Sequence, residues 1–364
     1  SELEPMSWLI SLGVLSVLIL VHEAGHFIVA RRLGVRVLQF AIGFGPILAR
    51  WQRGGVEYCL CLLPLGGYVK MAGEEERRDG APLPDEFSSK PAWARALIIA
   101  AGPFVNALVS TLALWLVLVI GYPELLPSVG RVVEEMPAAA AGMQTGDRIT
   151  AIDGEPVATW EDLTRVVHRA ADRPLAVAVD RGGAPVQLTV TPKRQEITDP
   201  FGRRTTVGLM GISPSGAFMT YRVGPVSALG KTLAKQVEFV QHTGLSLWSL
   251  VTGHVSMKDS LTGPIGIAHM ISEQARMGIS PLLYLASLFS MSLAIFNLFP
   301  LPLLDGGHLL FLAIERLRGR PVSVRVQEKA TQVSLACLLL LAAVVSVNDL
   351  ERLKVFDKLQ QWWR

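Results

Sequence analysis

Four segments of the chain are apolar over a length that spans a lipid bilayer, and this feature restricts the fold more than any other. A transmembrane helix needs about 20 mostly apolar residues, because lipid offers no hydrogen-bond partners to an open backbone. Half of the 364 residues are hydrophobic, and the mean hydropathy is +0.39. We therefore predict a polytopic α-helical membrane protein with four transmembrane helices. They run from Met6 to Ala30, between Arg95 and Glu124, from Pro281 to Leu304, and between Lys329 and Asp349.

The first apolar segment contains an ionisable motif, His22-Glu23-Ala24-Gly25-His26. Residues four apart share one face of a helix, so both imidazoles can point at one metal ion. The glutamate beside them can take a proton from a water molecule that the metal activates. A charged side chain at the bilayer centre costs about 2.5–3.5 kcal/mol on insertion scales, and something must offset that cost. We predict that His22 and His26 bind zinc.

Two other interpretations of the motif stay open at this point. The same polar groups form proton relays in membrane transporters, and a His-Glu-x-x-His pattern also arises by chance. The segment that carries the motif has no basic start, so we expect a retained helix and not a cleaved signal peptide.

Positive charge is concentrated in two loops. Basic residues cluster after the first span, from Arg31 to Arg95, and after the third, from Arg316 to Lys329. Cytoplasmic loops carry an excess of Lys and Arg, so we expect both termini and the long insert between spans two and three on the opposite side. The net charge of +3 is too small to indicate nucleic-acid binding. We expect no nucleic acid among the partners.

Between the first two spans the pattern changes from helical to strand-like. Residues 35–42, 56–62 and 65–71 favour strands and are punctuated by glycines. We predict a hairpin sheet that dips into the membrane beside the His-Glu motif, where irregular backbone is tolerated only against protein or water. Residues 74–90 are charged and rich in proline, and are expected to form a flexible cytoplasmic connection. This whole region, 1–126, is the predicted first membrane unit.

The insert at 127–215 has the pattern of a small α/β domain. Thr159 and Asp162 form a capping box that predicts a helix at Trp160–Ala170, and Gly182-Gly183 predicts a hairpin. Residues 136–149 resemble the bacterial form of a PDZ domain, a fold that accepts a peptide tail along a strand edge. The alternative is a domain that only covers the membrane part.

The remaining segments complete the domain organisation. Residues 216–280 contain Val226 to Val251, where apolar residues recur at helical spacing, and we predict amphipathic helices at the outer membrane surface. Residues 281–364 form the predicted second membrane unit. His242, His254 and His269 are interpreted as interfacial or packing groups.

Two histidines leave a catalytic zinc site incomplete, because such sites commonly have three protein ligands plus water. The third candidate is Asp305. An apolar span that ends in two prolines followed by Asp305-Gly306-Gly307 must break its helix at membrane depth. Asp305 could instead cap the next helix, and His308 could replace it as a ligand.

Two asparagines lie within apolar spans. Asn297 can steady a polarised carbonyl oxygen or form an interhelical hydrogen bond, and we favour the first interpretation. Asn106, in the second span, is interpreted as a group that joins helices through hydrogen bonding.

Taken in order, these motifs resemble the site-2 intramembrane metalloproteases, specifically the bacterial regulator of sigma-E protease group. The resemblance covers nearly the whole chain and rests on His22–His26, Gly43-Phe44-Gly45, Leu65–Met71, the PDZ-like segment, Gly263–Ile267 and Asn297–His308. It implies that His22, His26 and Asp305 are zinc ligands and that Glu23 is the catalytic base.

The resemblance also assigns the supporting residues. Asn297 matches a substrate-positioning residue, and Gly66, Gly67, Tyr68 and Val69 match a β-edge that clamps substrate. Enterobacterial members are expected to carry two PDZ domains in tandem, whereas this chain has room for one.

The resemblance implies a Zn²⁺-dependent endopeptidase of the bacterial inner membrane, with the active site toward the cytoplasm and the PDZ-like domain in the periplasm. Its expected substrates are single-pass transmembrane proteins, including an anti-sigma factor and remnant signal peptides. Proton-coupled transporters and non-catalytic PDZ-bearing scaffolds are the rival classes.

Overall fold

A computed structural model describes residues 5–74, 83–198, 204–255 and 262–352 of the protein. The chain forms two compact units. The first, here called the membrane unit, comprises Ser1–Val117 and Leu261–Arg364. The second, here called the inserted unit, comprises Leu118–Ser260.

The main helices and strands of the described residues are numbered in chain order. The helices are α1 (Pro5–Arg32), α2 (Ala92–Ile120), α3 (Pro137–Ala140), α4 (Trp160–Arg169), α5 (Pro225–Val251), α6 (Pro264–Met277), α7 (Ile279–Asn297), α8 (Asp305–Arg318) and α9 (Val324–Arg352). The strands are β1 (Val37–Arg53), β2 (Val56–Met71), β3 (Tyr122–Leu125), β4 (Val129–Val132), β5 (Arg148–Ile152), β6 (Glu155–Pro156), β7 (Leu175–Arg181), β8 (Ala184–Val190), β9 (Lys193–Thr198), β10 (Arg204–Leu209), β11 (Ile212–Pro214) and β12 (Phe218–Tyr221).

Four of the described helices are long and apolar enough to cross a membrane, as the sequence predicts. Their apolar lengths are Leu9–Arg32, Ala92–Ile120, Ile279–Asn297 and Val324–Asp349. The third helix ends earlier than the apolar segment, at Asn297 and not at Leu304. The helix break before Asp305 is thereby confirmed, since residues 298–304 contain two prolines and lie outside both α7 and α8.

The sheet between the first two spans is built from β1 and β2, which pair antiparallel around the turn at Gly54-Gly55. The predicted second and third strands form one continuous strand, β2. Residues 39–42 of β1 pair with residues 67–70 of β2 and also with residues 57–60. The segment 67–70 therefore lies at an edge of the sheet, and no other described strand pairs with it.

The connection after β2 is better ordered than the sequence suggests. Arg36 N–H donates to Asp85 O at 2.8 Å, and Phe87 N–H donates to Ala72 O at 2.8 Å. The Arg36 side chain also pairs with the Asp85 carboxylate at 3.0 Å. Residues 83–90 are thus attached to the sheet, which corrects the expected flexible connection over this part, while 75–82 lie outside the described residues.

The inserted unit has its own hydrophobic core. A four-stranded sheet in the order β6-β5-β7-β8 packs against α4, and Leu163, Leu175 and Val177 are among the fully buried side chains. The predicted capping box at the start of α4 is confirmed: Thr159 Oγ1 accepts from Asp162 N–H, and the Asp162 carboxylate accepts from Thr159 N–H. The predicted hairpin is β7–β8.

The segment 216–280 divides between the two units. β12 and α5 belong to the inserted unit, whereas α6 belongs to the membrane unit, where it packs against α1. Ser11 of α1 donates to Ala268 O of α6 at 3.0 Å.

The start of α6 is held by the last span. The Asp349 side chain is buried, and its carboxylate accepts from Gly263 N–H at 3.1 Å and from Gly266 N–H at 2.8 Å. A carboxylate in this position accepts hydrogen bonds from two backbone N–H groups at the helix start, and its negative charge is stabilised by the positive end of the helix dipole. Asp349 therefore ties α9 to α6.

Candidate metal centre

His22 and His26 lie one turn apart on α1, and their rings face the same side. The two Nε2 atoms are 3.2 Å apart, and both residues are 8% exposed. The ring planes meet at 81°, edge to face. Two adjacent, buried imidazole nitrogens are well placed to share one positive ion.

Asp305 completes the group from the other end of the chain. Its Oδ2 atom is 3.1 Å from His22 Nε2 and 3.5 Å from His26 Nε2. Asp305 is the first residue of α8, and the preceding cap position, Leu304, makes no side-chain cap hydrogen bond. The cap position is thus occupied by Leu304 and not by Asp305, whose carboxylate faces the histidines.

These distances fit a zinc ion. Zinc bonds of about 2.0–2.2 Å place tetrahedral ligand atoms about 3.3–3.6 Å apart. One ligand atom from each of His22, His26 and Asp305 lies within 4.8 Å of the other two. Two imidazoles and one carboxylate form a donor set that zinc accepts. Within the described part of the chain, no other group of three such residues meets this criterion.

Glycines allow the helices to approach the site closely. A Cβ atom at Gly102 of α2 would lie 2.3 Å from His26 Nε2 and 2.7 Å from His22 Cε1. A Cβ at Gly25 of α1 would lie 2.6 Å from Ala101 O. Small residues let transmembrane backbones approach each other, and here they leave α2 lying directly over both rings.

The same argument explains the two glycines after Asp305. A Cβ at Gly306 would lie 2.2 Å from Phe299 O, and one at Gly307 would lie 2.2 Å from Leu301 O. The first turn of α8 thus packs against the backbone that follows α7. This close packing fixes where the Asp305 carboxylate lies.

The other ring nitrogens of the histidines are held by α2. His26 Nδ1 is 2.8 Å from Ile98 O, and His22 Nδ1 is 3.3 Å from the Asn106 side-chain amide. The prediction for Asn106 was a hydrogen bond between helices, and the structure adds that the partner is a candidate metal ligand. The sequence feature that could have indicated this contact is the spacing of Gly102 and Asn106, which are four residues apart and share a helix face.

The sheet edge lies beside Glu23. A Cβ at Gly67 would lie 3.4 Å from Glu23 Cγ and 2.8 Å from Ala41 O. Gly67 is therefore the predicted β-edge residue that the structure brings to the His-Glu motif.

The other three β-edge residues surround this contact. Gly66 has φ +103°, and a Cβ there would collide with the Phe44 ring. Tyr68 stacks on Phe44 with ring centroids 6.1 Å apart. Val69 packs against the buried cluster that joins α1 to the sheet.

Two other predicted groups lie nearby in sequence. Asn297 is the last residue of α7 and is half-buried. His308 lies one turn after Asp305, where its ring contacts Phe311 edge to face at 6.4 Å. The donor group contains Asp305 and not His308.

An ion pair fixes α8 against α2. Arg95 Nη2 and Nη1 donate to the two oxygens of Glu315 at 2.5 and 3.2 Å, in a bidentate arrangement. Both side chains are largely buried, at 16% and 25% exposure. The ion pair thus joins α8, which carries Asp305, to α2, which carries Asn106.

Comparison with known proteins identifies relatives along most of the chain. The sequence profile of Peptidase family M50 matches residues 10–341. A Rhizobium meliloti protein named as a zinc metalloprotease is 38% identical over 356 residues, which cover 93% of this chain and 95% of that protein. Regulator of sigma-E protease RseP of Salmonella typhimurium is 33% identical over 450 residues, covering 95% of this chain and 98% of that protein. The PDZ domain of an SdrC-like protein from Listeria monocytogenes is 21% identical, with 26% of this chain and 88% of that chain covered and a TM-score of 0.20.

A His-Glu-x-x-His helix, an aspartate from a second helix and four apolar spans define a membrane metallopeptidase. The chain belongs to peptidase family M50. It is a zinc-dependent protease of the site-2 intramembrane type, as the sequence motifs predict. The alignment with the Salmonella protein extends over 450 positions, more than the length of this chain, so that relative contains segments absent here.

Proposed function

We propose that the protein cleaves transmembrane segments of single-pass membrane proteins, with His22, His26 and Asp305 as the zinc ligands. One observation carries this proposal: a carboxylate oxygen of Asp305 lies within 4.8 Å of imidazole nitrogens of His22 and His26, which lie on an apolar helix near the other end of the chain. When bound, zinc supplies Lewis acidity, which makes a water molecule acidic near neutral pH and polarises a peptide carbonyl.

Glu23 is the proposed general base. It follows His22 directly on α1, and its side chain is half-buried beside the sheet edge. The carboxylate takes the proton of the attacking water, whose oxygen forms a bond to the scissile carbonyl carbon. It then returns a proton to the leaving nitrogen as the C–N bond breaks.

The sheet edge is the proposed substrate-binding element. A helical substrate hides its carbonyls in its own hydrogen bonds, so it must unwind before cleavage. Residues 67–70 offer a strand edge, and Gly67 places that edge against Glu23. Pairing along it replaces the hydrogen bonds that the unwound segment loses, and Gly66, Gly67, Tyr68 and Val69 form the clamp.

Asn297 is the proposed group that positions the scissile carbonyl. It ends α7 eight residues before Asp305, at the break that also delivers the metal ligand. Its side chain makes no hydrogen bond with any of the described residues, which is consistent with an amide that bonds substrate and not a neighbouring helix.

The topology is proposed from the charge distribution. The basic loops after the first and third spans lie in the cytoplasm, and both termini and the inserted unit lie in the periplasm. The inserted unit, in the PDZ-like role, then admits substrates whose outer part has been shortened, either by binding a peptide tail or by excluding bulk. An anti-sigma factor and remnant signal peptides are the proposed substrates.

The decisive experiment compares Glu23→Gln with the wild type on a model transmembrane substrate in detergent or liposomes. We expect cleavage to fall by about 10²- to 10⁴-fold. Zinc content, measured by elemental analysis, should stay near that of the wild type, because the ligands are intact. Glu273→Gln, an exposed position on α6, is the matched control and should cleave normally.

Two results would contradict the proposal. Full activity of Glu23→Gln would remove the base from the mechanism. Wild-type protein that holds no zinc and cleaves nothing, yet moves protons in vesicles, would favour the transporter.

A further inference from the structure

Asn106 of α2 has a buried side chain that contacts the candidate metal centre at His22, on the side of the ring away from the other two candidate ligands. The residue is 0% exposed. Its Nδ2 atom lies 3.3 Å from His22 Nδ1, and its Oδ1 atom is buried with no hydrogen-bond partner among the described residues. The amide contacts Nδ1 of His22, the ring nitrogen that does not face His26 and Asp305. A buried amide at this position can control which ring nitrogen carries the proton.

The tautomer of the neutral His22 ring decides which of its nitrogens can bind a metal. A neutral imidazole has one N–H donor and one lone pair. His22 Nε2 faces His26 Nε2 at 3.2 Å and Asp305 Oδ2 at 3.1 Å, so this nitrogen must carry the lone pair if the three residues bind zinc. Nδ1 must then carry the proton, and that proton needs an acceptor.

His26 already follows this rule. Its Nδ1 lies 2.8 Å from Ile98 O, a carbonyl that can only accept, so Nδ1 carries a proton and, in the neutral ring, Nε2 has the lone pair. For His22 the corresponding partner is the Asn106 amide. Rotation of the Asn106 amide by a half-turn exchanges its NH2 group and its oxygen, which are nearly equal in size. Oδ1 then faces His22 Nδ1, and this otherwise unpaired oxygen gains a hydrogen-bond donor.

We propose that Asn106 is a positioning residue of the metal centre, whose Oδ1 accepts from His22 Nδ1–H and thereby fixes the tautomer that offers Nε2 to zinc. This inference rests on the proposed role of His22 as a ligand. Outer partners of this kind orient a metal-bound imidazole and raise its basicity.

The backbone around Asn106 is fixed in a way that suits this role. Ser290 Oγ of α7 donates to Asn106 O at 2.8 Å, so a second span holds this turn of α2. Gly102, on the same helix face, lets α2 lie against both rings. The amide is therefore presented to His22 from an immobile position.

The test measures zinc affinity of full-length protein by competition with a chelator. Asn106→Leu keeps similar volume and removes the acceptor, and we expect affinity to fall roughly 10–100-fold. Asn106→Asp restores an acceptor and has no donor, so affinity should stay within about threefold of the wild type. Ser110→Ala is the matched control, because it removes a buried hydrogen bond from α2 to Ser287 O without touching the histidines.

Cobalt substitution gives a second readout, in which rescue by Asn106→Asp separates the loss of the acceptor from a loss of packing. The visible absorption of bound Co²⁺ reports ligand geometry, so it should change in Asn106→Leu and be restored in Asn106→Asp. If Asn106→Leu does not fold, Asn106→Ala takes its place in both measurements.

Three outcomes are separable. Wild-type affinity and an unchanged cobalt spectrum in Asn106→Leu would overturn the inference. Equal weakness of the Asp and Leu variants would also overturn it, because an acceptor would then make no difference. Folded wild-type protein without any zinc affinity would instead refute the metal centre itself.

Discussion

Replacement of Gly102 by alanine tests the packing that forms the metal centre. The added Cβ would lie 2.3 Å from His26 Nε2 and 2.7 Å from His22 Cε1, where ordinary contact begins near 3.4 Å. The rings would have to retreat by about 1.1 and 0.7 Å, respectively, or α2 would have to move away. His26 cannot retreat freely, since its Nδ1 is held by Ile98 O at 2.8 Å.

The expected loss follows from this displacement. Metal ligands must lie within about 0.2 Å of their ideal distances, so a shift near 1 Å removes at least one ligand. Misplacement of catalytic groups by about 1 Å costs on the order of 100-fold in rate, which corresponds to about 2.7 kcal/mol of transition-state stabilisation. We expect Gly102→Ala to lose zinc and to show kcat/KM about 100-fold lower on a transmembrane substrate.

The assay pairs zinc content with cleavage kinetics in the same preparation. Gly13→Ala is the control, since Gly13 is also in a membrane helix and a Cβ there meets nothing within 4 Å. That variant should retain zinc and activity. Normal zinc content and rate in Gly102→Ala would mean that α2 does not lie against the histidines as described, and the reasoning would fail.

Two predictions concern stability. In the inserted unit, the Arg181 guanidinium holds the pKa of the buried Asp147 below its usual value, so the pair stabilises the fold above the unfolded carboxyl pKa and loses this effect as pH falls through the lowered folded pKa. Arg181→Met should destabilise the inserted unit at pH 7 and flatten the acid dependence of its stability. Urea unfolding of the full chain, followed by hydrogen exchange in β7 peptides, measures both, and an unchanged acid profile would contradict the prediction. In the membrane unit, Asp349→Ala should cost about 1–2 kcal/mol and Asp349→Asn less, because two backbone N–H groups at the start of α6 lose their acceptor. An unaltered thermal midpoint for Asp349→Ala would count against that account.

The sequence predicted the membrane architecture because, in lipid, length and apolarity alone decide where a helix forms. The break before Asp305 was predictable because proline cannot continue a helix. The structure adds why glycines follow it: side chains at Gly306 and Gly307 would collide with the backbone. The three residues that the structure brings together in the candidate metal centre were therefore identifiable one by one, with Asp305 as the third.

Contacts between helices were harder to predict, because they depend on which faces meet. The position of Asn106 behind His22 requires α2 to lie over α1 at Gly102, and helical spacing alone does not choose that partner. The double pairing of residues 39–42 was missed for a related reason: alternation indicates strands but not their neighbours. The order in residues 83–90 depends on long-range backbone hydrogen bonds that proline and charge content do not reveal.

The division of the donor atoms between residues 22, 26 and 305 has a consequence for biosynthesis. While the ribosome is still making the protein, the nascent polypeptide has both histidines long before the aspartate, which follows 279 residues after His26. Under the proposed ligand assignment, a copy that still lacks Asp305 has an incomplete ligand set and does not cleave the proteins being inserted around it.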